Sequence, residues 1–105
     1  MKGRTPLAAE QRWMDEVREL GCVVCRKYLK VYSPAEIHHV EGKTKPGSHY
    51  HVLPLCFMHH REGSANDLYI SRHPYKSRFE EAYGNERDLL LEVSTLVQKA
   101  RQVKL

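Results

Sequence analysis

No run of about 18 apolar residues occurs anywhere in the chain, which excludes an ordinary transmembrane helix. The first residues, MKGRTPLAAEQRW, contain no apolar h-region, so no secretory signal is expected there. Repeats, low-complexity segments and linkers are also missing, and the 105 residues are expected to form one domain, 1–105. Cysteine is scarce and odd in number: three residues argue against a disulfide framework and suit reduced thiols in the cytoplasm. Hydrophobic residues make up 41% and mean hydropathy is −0.62, so the core is modest. The middle third has little periodic apolar sequence, and a bound metal there would stand in for the missing core. The net charge of +4 suits a polyanionic partner such as DNA, although charge speaks to association and not to fold.

The periodic segments lie at the two ends. Thr5-Pro6 reads as an N-cap followed by proline at the first helical position. Trp13, Met14, Val17 and Leu20 then recur at helical spacing, so a helix is expected over 6–20, stopped by Gly21 at its C′ position. Glu36 to Val40 and His49 to Leu55 read as two strands of a hairpin, with Pro54 confining the second to an edge or a strand end. Phe57 opens a short helix that Gly63 to Asn66 ends, and Asp67 to Tyr75 is ambiguous. Helices are expected over 76–101, first around Phe79, Ala82 and Tyr83 up to Gly84. The last is capped by Asn85 and carries the stripe Leu89, Leu90, Val93, Leu96, Val97 and Ala100. The fold class is therefore α+β, with a core of about 22–73 between terminal helices.

The chemistry concentrates in that core. Cys22, Cys25, Cys56 and His59 give C-x2-C-x30-C-x2-H. Zinc takes four thiolate or imidazole ligands in a tetrahedron, and each pair here puts two on one tight turn. All three cysteines are used, and a closed shell of this kind holds structure and does not catalyse. A CxxC redox site would follow a strand and open a helix; this one follows a helix and Gly21. His38, His39, His51 and His60 remain as spare imidazoles. Neighbours on a strand point to opposite faces, so His38 and His39 cannot share a job. One can ligate a metal with His60 while the other serves as general base. His73, in Ser-Arg-His-Pro, either completes that metal shell or packs as a loop histidine near Tyr75.

His38-His39, a strand, HVLPLC and His60 opening a helix together resemble the HNH, or ββα-metal, nuclease motif. The closer likeness is to the phage Ref-type (recombination enhancement function) nucleases. It runs from about Cys22 to Gly84 through IHH, GKTKPGSHYHVLPLC, the His59-His60 pair and Phe79 to Gly84. The resemblance implies a zinc-stapled ββα-metal core and a DNA endonuclease that cuts where a RecA filament targets it. It places His38 and His60 on a catalytic metal and His39 at the general-base position. His51 lands on the usual central asparagine, which orients that base or pins the loop, and His59 replaces the last zinc cysteine. Family members can carry a long basic N-terminal arm, whereas only Lys2 and Arg4 precede the first helix here.

The implied reaction is metal-assisted phosphodiester hydrolysis, with His39 as base and Mg2+, Mn2+, Zn2+ or Ni2+ as the cation. Lys43, Lys45, Arg61, Arg72, Lys76 and Arg78 flank the site as candidate phosphate contacts, with Arg78 preferred because its helix follows the His73 loop. Glu80 and Glu81 are read as helix packing and surface charge. The alternative of a different class is a non-catalytic zinc-finger module that binds DNA or protein. In it the histidines would be structural or would close a second zinc site.

Overall fold

The structure is a computed structural model that describes residues 3–66 and 68–103; Lys2 and Asp67 lie outside the described residues. Helix α1 spans Ala8–Glu19, and its buried Met14 and Val17, with Leu20 just beyond, are the stripe expected from the spacing. It starts two residues later than Thr5-Pro6 suggested. The Glu10 carboxylate accepts from the Leu7 N–H at 2.8 Å and closes the N-terminus there. The preceding segment stays out of the helix because its main chain is engaged elsewhere: the Arg4 N–H donates to the Lys43 carbonyl at 2.8 Å.

Gly21 ends the helix with φ +75°, and no other residue fits. A Cβ there would stand 2.6 Å from the Tyr32 ring and 2.8 Å from the Ser33 carbonyl. The chain turns straight into Cys22, whose N–H donates to that carbonyl at 2.9 Å, and winds through a π-helical turn, Cys25–Leu29.

Strands β1 (Glu36–His39) and β2 (Val52–Leu55) pair antiparallel, with Glu36 opposite Leu55 and His39 opposite Val52. Pro54 is tolerated because both strands of a two-stranded sheet are edges. The second strand is shorter than its sequence suggested. Gly47, at φ +79°, feeds a 3-10 turn over Ser48–Tyr50, which takes His49 out of the strand and buries it. Helix α2 is a single turn, Phe57–His60, with Cys56 at its N-cap. Helix α3 spans Lys76–Tyr83 and α4 spans Glu86–Val103, where the Asn85 side chain accepts from the Asp88 N–H at 2.8 Å as the expected cap.

The core forms where α1 and α4 close over β2. Val17, Val52, Leu53, Leu55, Phe79, Leu89, Val93 and Val97 are each at most 1% exposed. Each such side chain contributes roughly 1.5–3 kcal/mol of burial. All three cysteines line the same core, so the candidate metal cluster is continuous with it.

Candidate functional site

Cys22 and Cys25 come from the turn after α1, while Cys56 and His59 come from α2 and its N-cap. All four are buried, and their ligand atoms lie within 4.8 Å of one another. The cysteine Sγ atoms of 22, 25 and 56 stand 3.6, 3.5 and 3.2 Å from His59 Nδ1, and Cys25 Sγ lies 3.7 Å from Cys56 Sγ. Donors around a tetrahedral zinc stand roughly 3.5–3.8 Å apart, given Zn–S of about 2.3 Å and Zn–N of about 2.0 Å. The donor set therefore fits a metal ion such as zinc. His59 also carries the outer bond that orients a ligating imidazole, since its Nε2–H donates to the Leu68 carbonyl at 3.2 Å. Cys22 is pushed far up by donating to Cys56 and by burial, and Cys56 is held down at about 3 by that bond and by His59.

A second cluster joins His38, His60 and His73, whose ligand atoms also lie within 4.8 Å of one another. His38 is a buried residue of β1, His60 is half-buried in α2, and His73 is exposed on the turn before α3. The turn is pinned to α2 by the main chain: the Arg72 N–H donates to the His59 carbonyl and the His73 N–H to the His60 carbonyl, both at 2.8 Å. Two carboxylates back the ring. Glu86 Oε2 meets His38 Nε2 at 2.5 Å, and Glu36 Oε1 meets His60 Nδ1 at 2.8 Å. Each carboxylate fixes one ring nitrogen as a donor, the arrangement that orients metal-ligating histidines.

The carboxylates stay ionised. Burial alone would raise Glu86, but the bonds from His38 and Arg72 outweigh it. Glu36 is held at about 2, chiefly by the two-pronged Arg61 guanidinium at 2.9 and 2.8 Å. Burial pushes both His60 and His73 down, so their neutral, ligating forms are favoured.

His39 lies outside both clusters. Its Nε2 meets His49 Nδ1 at 2.9 Å, and His49 Nε2 meets the Arg4 carbonyl at 2.7 Å. Burial, with His49 and Lys43 adding repulsion, pulls His39 down to about 4 and keeps it neutral at pH 7. Of the two roles expected for His51, orienting His39 does not match this geometry, whereas a contact to the loop does. His51 is exposed and its Nδ1 meets Glu41 Oε1 at 2.6 Å, because β2 begins only at Val52 and the 3-10 turn swings His49 inward instead.

The basic residues divide. Lys43, Lys45, Lys76 and Arg78 are exposed, and Arg78 lies over the Tyr75 ring. Arg61, also exposed, and the half-buried Arg72 are engaged by carboxylates that back the histidine trio, Glu36 and Glu86. Those two carboxylates are the site residues that sequence reading missed. Glu36 left a signal, since it precedes His38 by two on a strand and shares its face. Glu86 lies 48 residues from His38 and left none.

Among the described residues no helix is long and apolar enough to cross a membrane. Both clusters and the His39–His49 pair fall inside residues 6–98, the span matched by the family model described as "Recombination enhancement, RecA-dependent nuclease". Since that match covers most of the chain, the protein belongs to the recombination enhancement, RecA-dependent nuclease family.

Proposed function

We propose that the protein is a metal-dependent DNA endonuclease of the HNH type, a single domain over 1–105 built on a zinc-stapled ββα-metal core. The observation that carries this reading is the histidine trio, backed by Glu36 and Glu86, beside the hairpin that bears the neutral His39. Cys22, Cys25, Cys56 and His59 would hold a structural zinc, whose closed shell ties α2 to the turn after α1. His38, His60 and His73 would hold the catalytic divalent cation, which when bound supplies positive charge for the scissile phosphate and the departing 3′ oxygen. An all-imidazole set favours Zn2+, Mn2+ or Ni2+ over Mg2+, which prefers oxygen.

His39 accepts a proton from a water that attacks the phosphorus in line; the P–O bond to the 3′ oxygen breaks as the new P–O bond forms. Glu86 and Glu36 orient His38 and His60 and do not touch substrate. Arg72 and Arg61 hold those carboxylates in turn. Lys43, Lys45, Lys76 and Arg78 are left to meet phosphates, so affinity should fall steeply with salt and carry no base preference. The family supports a cytoplasmic enzyme whose partners are DNA and a RecA filament.

The test is nicking of supercoiled plasmid by wild type and His39→Ala with Mg2+ or Mn2+, with and without RecA and a homologous oligonucleotide. Cleavage by wild type alone supports the enzyme and its base, and cleavage confined to the RecA samples supports filament targeting. No cleavage by a folded, metal-loaded protein under any condition would replace this reading with a non-catalytic zinc-binding module.

A further inference from the structure

Helix α2 is one turn long, and most of its carbonyls find no donor within it. The Phe57 carbonyl accepts from the Arg61 and Glu62 N–H groups, both at 3.0 Å, and the chain then leaves the helix. Met58, His59 and His60 are left with the orphan carbonyls of a helix C-terminus. Three consecutive residues of the turn before α3 satisfy them in order. The Ser71 hydroxyl donates to the Met58 carbonyl at 2.7 Å. The Arg72 N–H donates to the His59 carbonyl and the His73 N–H to the His60 carbonyl, both at 2.8 Å.

Ser71 contributes the only side chain to these three contacts, and it is 0% exposed. Its oxygen also accepts from the Gly63 N–H at 2.9 Å, and its own N–H donates to the Ser64 carbonyl at 2.9 Å. The hydroxyl is thus used both as donor and as acceptor, and it fastens the turn to both ends of the segment that leaves α2. Two members of the histidine trio lie on the two pieces of chain joined in this way, His60 on α2 and His73 on the turn. Together with His38 they form an even triangle, each pair of ring centroids 5.2 Å apart. His73 is exposed, so the main chain beneath it has to supply the order that packing does not.

We propose that Ser71 is a positioning residue for the histidine trio: it locks the 71–73 turn onto the carbonyl end of α2 and so presets His73 against His60. The proposal rests on the reading of the trio as a metal site. Ligands held in place before the cation arrives lose less freedom on binding it, which raises affinity without any new contact. The cysteine cluster takes no ligand from the turn, so loss of the Ser71 hydroxyl should weaken one cluster and spare the other.

The test compares wild type, Ser71→Ala, His73→Ala and the double variant, each with zinc on the cysteine cluster, in calorimetric titration with Ni2+, a cation suited to imidazole. Amide hydrogen exchange by NMR follows the Arg72 and His73 N–H groups. Ser71→Ala should weaken Ni2+ binding about 10- to 100-fold, the range for loss of an outer partner of a ligand. It should also speed exchange at both amides while the cysteine cluster keeps its zinc. The double variant should bind Ni2+ no more weakly than His73→Ala, because Ser71 acts through His73. Val97→Ala, a cavity in the core on α4, should lower the melting temperature and leave Ni2+ affinity unchanged.

Unchanged Ni2+ affinity in folded Ser71→Ala, or losses that add in the double variant, would leave Ser71 a structural residue only and overturn the proposal. If wild type binds Ni2+ no better than His73→Ala, the reading of the trio is the one that fails, and the positioning role goes with it. Should Ser71→Ala fail to fold, exchange in wild type decides. Arg72 and His73 amides protected like those of α4 support the clasp, and amides that exchange as freely as an unfolded chain overturn it.

Discussion

The two candidate metal clusters share one short helix, since α2 contributes His59 to one and the adjacent His60 to the other. They differ in what surrounds them. The cysteine cluster is sealed: its four residues are buried, and its outer bond goes to a main-chain carbonyl. The histidine cluster runs from buried His38 to exposed His73, and its outer bonds go to ionised carboxylates that are themselves held by arginines. A closed thiolate shell uses all its coordination to hold the chain, while an imidazole set with one solvent-facing member leaves room for substrate. On the proposed reading, burial and charge separate the two clusters more than ligand type does.

The largest test of that contrast is removal of a thiol. A structural zinc contributes an apparent ~10–16 kcal/mol, about as much as the whole stability of a domain. Cys25→Ala, or treatment with a strong chelator, should therefore abolish cooperative thermal unfolding followed by circular dichroism. A cooperative melt in Cys25→Ala would erase the distinction between the two clusters. Next in size is Glu86→Ala, which strips the buried His38 and Arg72 of their shared carboxylate and should cost about 3–5 kcal/mol in urea unfolding.

His73→Ala should sharpen the comparison from the other side. His73 is exposed, so its loss should leave stability within about 0.5 kcal/mol. Metal titration by calorimetry should show the second site weakened by at least about 10- to 100-fold, the range for losing only an outer-shell partner of a ligand. The last prediction concerns protons. His39 should titrate near pH 4 in the folded protein by NMR, against 6.5 for the ordinary group. Between those values the unfolded chain binds a proton that the folded one does not. Stability from this residue is thus complete above about pH 6.5 and declines as pH falls towards 4. A His39 signal titrating near 6.5 would show that its burial has no electrostatic consequence.

Much of this was legible in the chain. The spacing of Cys22, Cys25, Cys56 and His59 names a tetrahedral donor set before any folding is considered, and the structure brings those four together. The stripes on α1 and α4, the Gly21 stop and the Asn85 cap follow from local rules that act over three or four residues. The start of α1 was not legible, because the Arg4 main chain is taken up by Lys43 and His49 from across the fold. The choice between His49 and His51 was not legible either. A strand reading alternates their neighbours blindly, while the 3-10 turn after Gly47 rotates one ring inward and leaves the other with Glu41.

The ligands and the elements that carry them follow from the order of residues along the chain, because ligand chemistry and helical periodicity are properties of neighbours. Which carboxylate stands behind which histidine, and which ring meets His39, is fixed only when the chain folds. Those choices depend on contacts such as Glu86 with His38 and His49 with the Arg4 carbonyl, between residues 48 and 45 apart, where no spacing rule reaches.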